Sequence, residues 1–317
     1  MPREDTLTPY LSPEALTRRV EALGEALGAE LRTYGTSVQG RALRVIRVPG
    51  TTHDLPRVLC SANIHGPEFI GAMTALALLA SAQDDAWGIR RRAELWVIPC
   101  LNPDGYARTW EAGGEGALAT LRTNANGVDL NRNFPRPAPS PSWLPGAGSE
   151  HPGDATYRGA GPLSEPETAD LDALCREQGF HASANLHSFM GTVIPASVRD
   201  AGAFQTYKML AAALARGQRH TRYPRLSSRR LDVFTGEQED HQHHVHRTWA
   251  VCVENFPWLA SMRQHLRAPS TFWRFNPRQP EPWIDNDVPG LQAYFDAALQ
   301  LDRPASPPAD RALTEGD

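Results

Sequence analysis

Four short strand-like runs constrain this chain most. They are Arg57–Asn63 (RVLCSAN), Glu94–Cys100 (ELWVIPC), His181–His187 (HASANLH) and Thr248–Glu254 (TWAVCVE). Three of them are apolar almost throughout, as in strands covered on both faces. Helical patterns separate them. Ser12-Pro13-Glu14 is a capped helix start, after which Leu16, Val20, Leu23 and Leu27 recur at helical spacing. Residues 70–82 are apolar on nearly all sides and predict an interior helix. Ser164-Glu165-Pro166-Glu167 opens a helix reaching about Gln178. Residues 201–216 are helical, and a last helix runs from about Val288 to Leu301. Gly35–Val48 predicts a turn and a strand. The expected fold is therefore α/β: a single-domain, mixed twisted β-sheet flanked by helices on both faces.

The catalytic unit is expected over residues 1–302, with 303–317 a polar, proline-containing and disordered tail. Pro135–Pro162, rich in Pro, Gly and Ser, predicts a long surface excursion of the kind that shapes binding sites. There is no internal repeat.

A length of 317 residues, 41% hydrophobic and 21% charged, suits one globular domain. The net charge of −4 gives no general attraction to nucleic acid or an anionic membrane, so neither is an expected partner. Lys208 is the only lysine among 32 basic residues. The arginines are dispersed, which favours compositional bias over a selected binding face. Cys60, Cys100, Cys175 and Cys252 are far apart and predict buried free thiols. The N-terminus lacks the basic and apolar stretches of a signal peptide, and no run reaches membrane-spanning length. A cytoplasmic location is the expectation.

The chemistry sits where strands end. His65 and Glu68 (HGPE) follow the first strand, and His187 and Glu254 close two later ones. An HxxE turn lets an imidazole and a carboxylate converge on one cation, and zinc accepts such N and O ligands. A surface histidine beside a helix-start glutamate is the plainer reading of HxxE alone. Asn102-Pro103-Asp104-Gly105 alone reads as a turn. Residues 122–134 (RTNANGVDLNRNF) crowd Arg122, Arg132 and four asparagines into one loop-like stretch. Arginine forks there suit a carboxylate ligand.

Together these pieces resemble the zinc metallocarboxypeptidases, the carboxypeptidase A-like peptidases. HGPE at 65–68, NPDGY at 102–106, RTNANGVDLNRNFP at 122–135, SEPET at 164–168, LHS at 186–188 and VEN at 253–255 occur in that family's order. The wording NANGVDLNRNFP looks most like the bacterial branch that includes murein peptide amidases. The resemblance implies one zinc ion per chain on His65, Glu68 and His187. It implies Glu254 as the catalytic glutamate and Arg122 as the group polarising the scissile carbonyl. Asn131 and Arg132 would bind the substrate's terminal carboxylate, and Asp129 would orient His65.

Two positions depart from the family. Its usual pocket-closing tyrosine is replaced by Asp232, and Tyr223 lies off register. Glu239 falls where the family sets side-chain preference, so a basic or diamino terminal residue is expected. His241, His243, His244 and His246 form a dense cluster that invites a second-metal reading. Strand alternation would place His241 and His243 on one face and His244 and His246 on the other, in a solvated or rim-lining segment. Trp273, Phe275 and Trp283 are expected to pack under the C-terminal helix, with a pocket wall as the alternative. The expected function is hydrolysis of the C-terminal peptide bond of peptides. The alternatives are an amidase cutting the γ-D-glutamyl-diaminopimelate bond of cell-wall peptides, an inactive zinc- or ligand-binding homologue, and an acylase-like deacylase, which GVDLNRNF disfavours.

Overall fold

The computed structural model describes residues 6–84, 86–135, 147–229, 234–257 and 262–305. Its strands are β1 (Glu30–Thr36), β2 (Ala42–Val48), β3 (Arg57–Ala62), β4 (Glu94–Ile98), β5 (Ala182–Ser188), β6 (Thr192–Pro195) and β7 (Trp249–Asn255). They form one sheet in the order β1-β2-β4-β3-β5-β7-β6. The four central strands, β4, β3, β5 and β7, run parallel, and the outer three pair antiparallel. From β3 the chain goes to β4 on one side and later to β5 on the other. The order therefore reverses at β3, and the connections leaving the carboxyl ends of β3 and β5 part to open a crevice.

The helices are α1 (Pro13–Leu27), α2 (Phe69–Ala80), α3 (Pro103–Glu111), α4 (Leu118–Arg122), α5 (Pro166–Gln178), α6 (Ala201–Gly217), α7 (Gln238–His244), α8 (Met262–Arg267), α9 (Phe272–Phe275) and α10 (Glu281–Ala298). Side-chain alternation along the strands divides the core in two. Val58, Cys60, Leu95, Val97, Ala184 and Val251 pack against α1, α2, α6 and α10. Leu59, Trp96 and Ile98 point the other way, against Leu171 and Leu174 of α5. Helices thus cover both faces, as the apolar strands require, and the four cysteines are free thiols, with Cys60, Cys175 and Cys252 buried.

Several expectations are corrected. β1 is a strand the sequence hides, because its side chains are exposed or half-buried and carry no apolar alternation. α10 begins at Glu281, earlier than Val288, since Pro282 sits in its first turn, where no intrahelical N–H is lost, and the helix continues through Pro289. The histidine cluster is not a solvated strand. Residues 238–244 form α7, and His241, His243 and His246 are buried. Strand alternation fails there because the polar partners lie on neighbouring helices: Tyr207 of α6 bonds His243, and Asp172 of α5 bonds His241 and His246. Trp273 packs in the core with the C-terminal helix as expected, Phe275 is buried outside that cluster, and Trp283 meets Phe256 edge to face. Residues 303–305 are not loose: Arg303 Nε donates to Arg247 O at 3.1 Å, and Arg247 Nε to Pro304 O at 2.8 Å. Residues 306–317 of the expected tail lie outside the described residues. No described helix is long and apolar enough to cross a membrane.

Candidate active site

Local backbone chemistry builds the HxxE turn. Asn63 leaves β3 with a φ of 58°, and its amide donates to the carbonyls of His65 (2.7 Å) and Gly66 (3.3 Å). Asn102 caps α3 by accepting from Gly105 N at 2.8 Å and donates to Ile64 O at 3.2 Å. The Asn-Pro-Asp-Gly stretch is therefore a helix cap that braces the HxxE turn, more than the plain turn it resembles in isolation. Gly66 allows a close backbone approach: a Cβ there would lie 2.2 Å from Leu121 O. Its N–H donates to Arg122 O at 3.1 Å, which ties Arg122 to the turn.

His65 Nδ1 lies 2.8 Å from Glu68 Oε1, and His187 Nδ1 lies 3.2 Å from Glu68 Oε2. The two Nδ1 atoms are only 3.3 Å apart, and all three side chains are buried. When both rings carry their hydrogens at Nε2, two Nδ1 lone pairs face each other and the Glu68 carboxylate, an arrangement that a cation between them stabilises. His65 Nε2 lies 3.2 Å from Asp129 Oδ1. An N–H directed to that carboxylate leaves the Nδ1 lone pair for a metal. The donor set N, N, O fits zinc and leaves a coordination position open. Burial opposes the charge on Glu68, but the two histidines outweigh it and bring its carboxyl down to about 2. Asp129 is likewise held low despite burial, by Arg122 and His65.

Glu254 stands beside this cluster, with Met190 N–H donating to its Oε2 at 3.3 Å. Burial and the neighbouring Glu68 carboxylate push its carboxyl up to about 7. That suits a group that must both take and give a proton near neutrality. Arg122 donates from Nε to Asp129 Oδ2 at 2.9 Å, and its Nη1 lies 3.9 Å from Glu68 Oε1. One carboxylate, Asp129, thus orients both an imidazole and a guanidinium.

The asparagines of 122–134 divide into two groups. Asn124 and Asn126 donate to Glu165 Oε2 at 2.7 and 2.8 Å, and Asn133 accepts from Thr168 Oγ1 at 2.6 Å. These three pin the loop to the Ser164–Thr168 stretch. Asn131 and Arg132 face the cleft. Gln238 N–H donates to Asn131 Oδ1 at 2.9 Å, leaving the Asn131 NH2 as donor. Arg132 donates to Asn131 O at 2.6 Å, lies 3.5 Å from Glu237 Oε1, and lies over the ring of Phe234.

A cleft of about 310 Å³ joins these groups: His65, Glu68, Arg122, Asn131, Arg132, His187 and Glu254 all line it. Glu239 does not. It is fully buried, and burial together with the Asp240 carboxylate pushes it up to about 8. From this part of the chain the carboxylate that lines the cleft is Glu237, two residues earlier. Sequence reasoning also missed Phe189 and Met190, although they directly follow the LHS stretch at 186–188 that carries His187. Phe275 takes the pocket-wall alternative, meeting Phe189 edge to face. Ala155 and Thr156 bring the expected surface excursion to the rim. Asp232 lies outside the described residues. Tyr223 is buried, donates to Asp287 Oδ2 at 3.0 Å, and is not part of the cleft lining.

The family model described as zinc carboxypeptidase matches residues 27–254. The carboxypeptidase N catalytic chain of Rattus norvegicus is 37% identical over 118 residues, which is 33% of this chain and 26% of that one. Other curated metallocarboxypeptidases are likewise covered over less than half their length. Among solved structures, carboxypeptidase A from Helicoverpa armigera superposes with a TM-score of 0.71 at 19% identity, covering 92% of this chain and 74% of that one. The murein-tripeptide amidase from Escherichia coli O157 gives 0.51 at 22% identity, covering 87% and 93%. At these identities the structural likenesses show the fold.

Proposed function

We propose, for a chain that belongs to the zinc carboxypeptidase family, that it hydrolyses the C-terminal peptide bond of peptides with zinc on His65, Glu68 and His187. The convergence of that triad with Glu254, Arg122, Asn131 and Arg132 on one cleft carries the reading. Zinc, when bound, supplies Lewis-acid polarisation and eases the ionisation of water. Glu254 takes the proton of the attacking water and delivers it to the leaving amine. Arg122, held by Asp129, stabilises negative charge at the scissile carbonyl oxygen. Arg132 and Asn131 clamp the terminal carboxylate, which places the bond to be cut beside Glu254.

A basic or diamino terminal side chain is the preferred one. Glu237 supplies a carboxylate at the wall, which Cys252 also lines. A cationic side chain entering the pocket would meet the Glu237 carboxylate. The test is a hydrolysis screen of the zinc-loaded protein on peptides ending in Arg, Lys, Phe and Glu and on a γ-D-glutamyl-diaminopimelate substrate. Faster cleavage after Arg or Lys supports the reading. Equal rates or a Phe preference overturn the basic preference. Exclusive cleavage of the diaminopimelate substrate replaces the peptidase with a cell-wall amidase.

A further inference from the structure

The dense histidine cluster is not absorbed by the active site. Of its four imidazoles, His243 pairs through Nδ1 with the Tyr207 hydroxyl (2.9 Å), and His244 Nε2 meets Ser197 O at 2.8 Å. The other two converge. His241 Nε2 and His246 Nε2 each lie 2.7 Å from the same atom, Asp172 Oδ1. The two rings stand nearly perpendicular, at 86°, with centroids 5.0 Å apart. All three side chains are buried, and none of them lines the catalytic cleft.

We propose that Asp172, His241 and His246 form a second divalent-metal site, suited to zinc and separate from the catalytic one. Three lines of geometry support it. The donor atoms lie within 4.8 Å of one another; a tetrahedral zinc shell sets its ligands roughly 3.3 Å apart, so small ring movements suffice. Among the described residues His241 Nδ1 has no hydrogen-bond partner, so only the Asp172 contact holds the ring hydrogen at Nε2; an ion replacing that contact moves the hydrogen to Nδ1 and leaves the Nε2 lone pair to the metal. Arg176 pairs with Asp172 Oδ2, which holds the carboxylate and leaves Oδ1 to the ion. The set of two imidazoles and one carboxylate leaves a position for water. An ion here would clamp α5 to α7 and the turn that follows it.

A simple hydrogen-bonded triad, with both imidazoles donating to Asp172, is the competing explanation, and His246→Gln separates the two. Glutamine keeps a donor toward Asp172 but is a poor zinc ligand. The full-length protein is stripped with a chelator, dialysed against micromolar zinc and assayed for metal by elemental analysis, with peptide hydrolysis measured alongside. The expected result is two zinc ions per chain in the wild type and one in His246→Gln, with hydrolysis retained. Wild-type protein that takes up only one ion overturns the proposal, as does a variant that still holds two. If His246→Gln loses hydrolysis through misfolding, Asp172→Asn takes its place, and an anomalous-scattering map of the zinc-soaked crystal decides independently: a second peak between Asp172, His241 and His246 supports the site, and its absence overturns it.

Discussion

His187 and Glu254 are register partners across the adjacent parallel strands β5 and β7. Partners in a parallel pair point to the same side of the sheet, so a metal-competent imidazole and the carboxylate proposed to move the proton are held side by side by backbone hydrogen bonds alone. Neither depends on a loop for its position.

Glu254→Gln keeps the size and the Met190 contact but removes the base. The expected loss in kcat is about 100- to 10,000-fold, with zinc content unchanged by elemental analysis. A variant that retains wild-type turnover would remove Glu254 from the mechanism.

Arg132→Ala takes away the guanidinium that would meet the terminal carboxylate. Loss of a charge-assisted hydrogen bond of about 1.5–3 kcal/mol should raise KM roughly 10- to 150-fold. Arg132→Lys should recover little of it, because lysine lacks the planar fork. Steady-state kinetics on free-acid and C-terminally amidated peptides make the comparison. The variant should lose most of the difference between the two substrates.

Asp129→Asn leaves His65 and Arg122 without their shared carboxylate. Zinc affinity should fall about 10- to 100-fold, measured by competition with a chromophoric chelator. Unchanged affinity would mean that Asp129 is only a turn residue.

Glu239 governs a pH effect on stability. Its folded carboxyl is held up to about 8, well above an unfolded glutamate. Between about pH 4 and 8 the folded chain binds the extra proton, so this group makes stability fall as pH rises through that window. Glu239→Gln should therefore melt at nearly the wild-type temperature near pH 5 and above it near pH 8. Parallel melting curves at both pH values would contradict the assignment.

Much of this was legible in the sequence. The central strands declared themselves because burial on both faces demands unbroken apolar runs, as in RVLCSA and ELWVI. The residues of the triad were legible because each stands at or just beyond a strand end. β1 was hidden because an edge strand buries little. α7 was hidden because its inward face is polar: Gln238 donates to Ser61 Oγ and Asn185 Oδ1, and Gln242 meets Asn185 Nδ2, so no apolar periodicity betrays it. Glu237 and Glu239 could not be separated in the sequence. Which carboxylate reaches the cleft depends on how α7 is entered, with Glu237 at its N-cap position, and on Gly236, whose φ of 77° and close approach to Arg132 O set the chain's course.

The reversal of strand order at β3 has an evolutionary consequence. The groups that would carry out hydrolysis hang on the rigid central strands and the turns braced against them, whereas Ala155, Thr156, Met190 and Phe234 reach the rim from irregular connections. Insertions and replacements in those connections can retarget the enzyme to a new terminal residue while the reaction centre is inherited intact, so recognition and turnover are free to diverge at different rates.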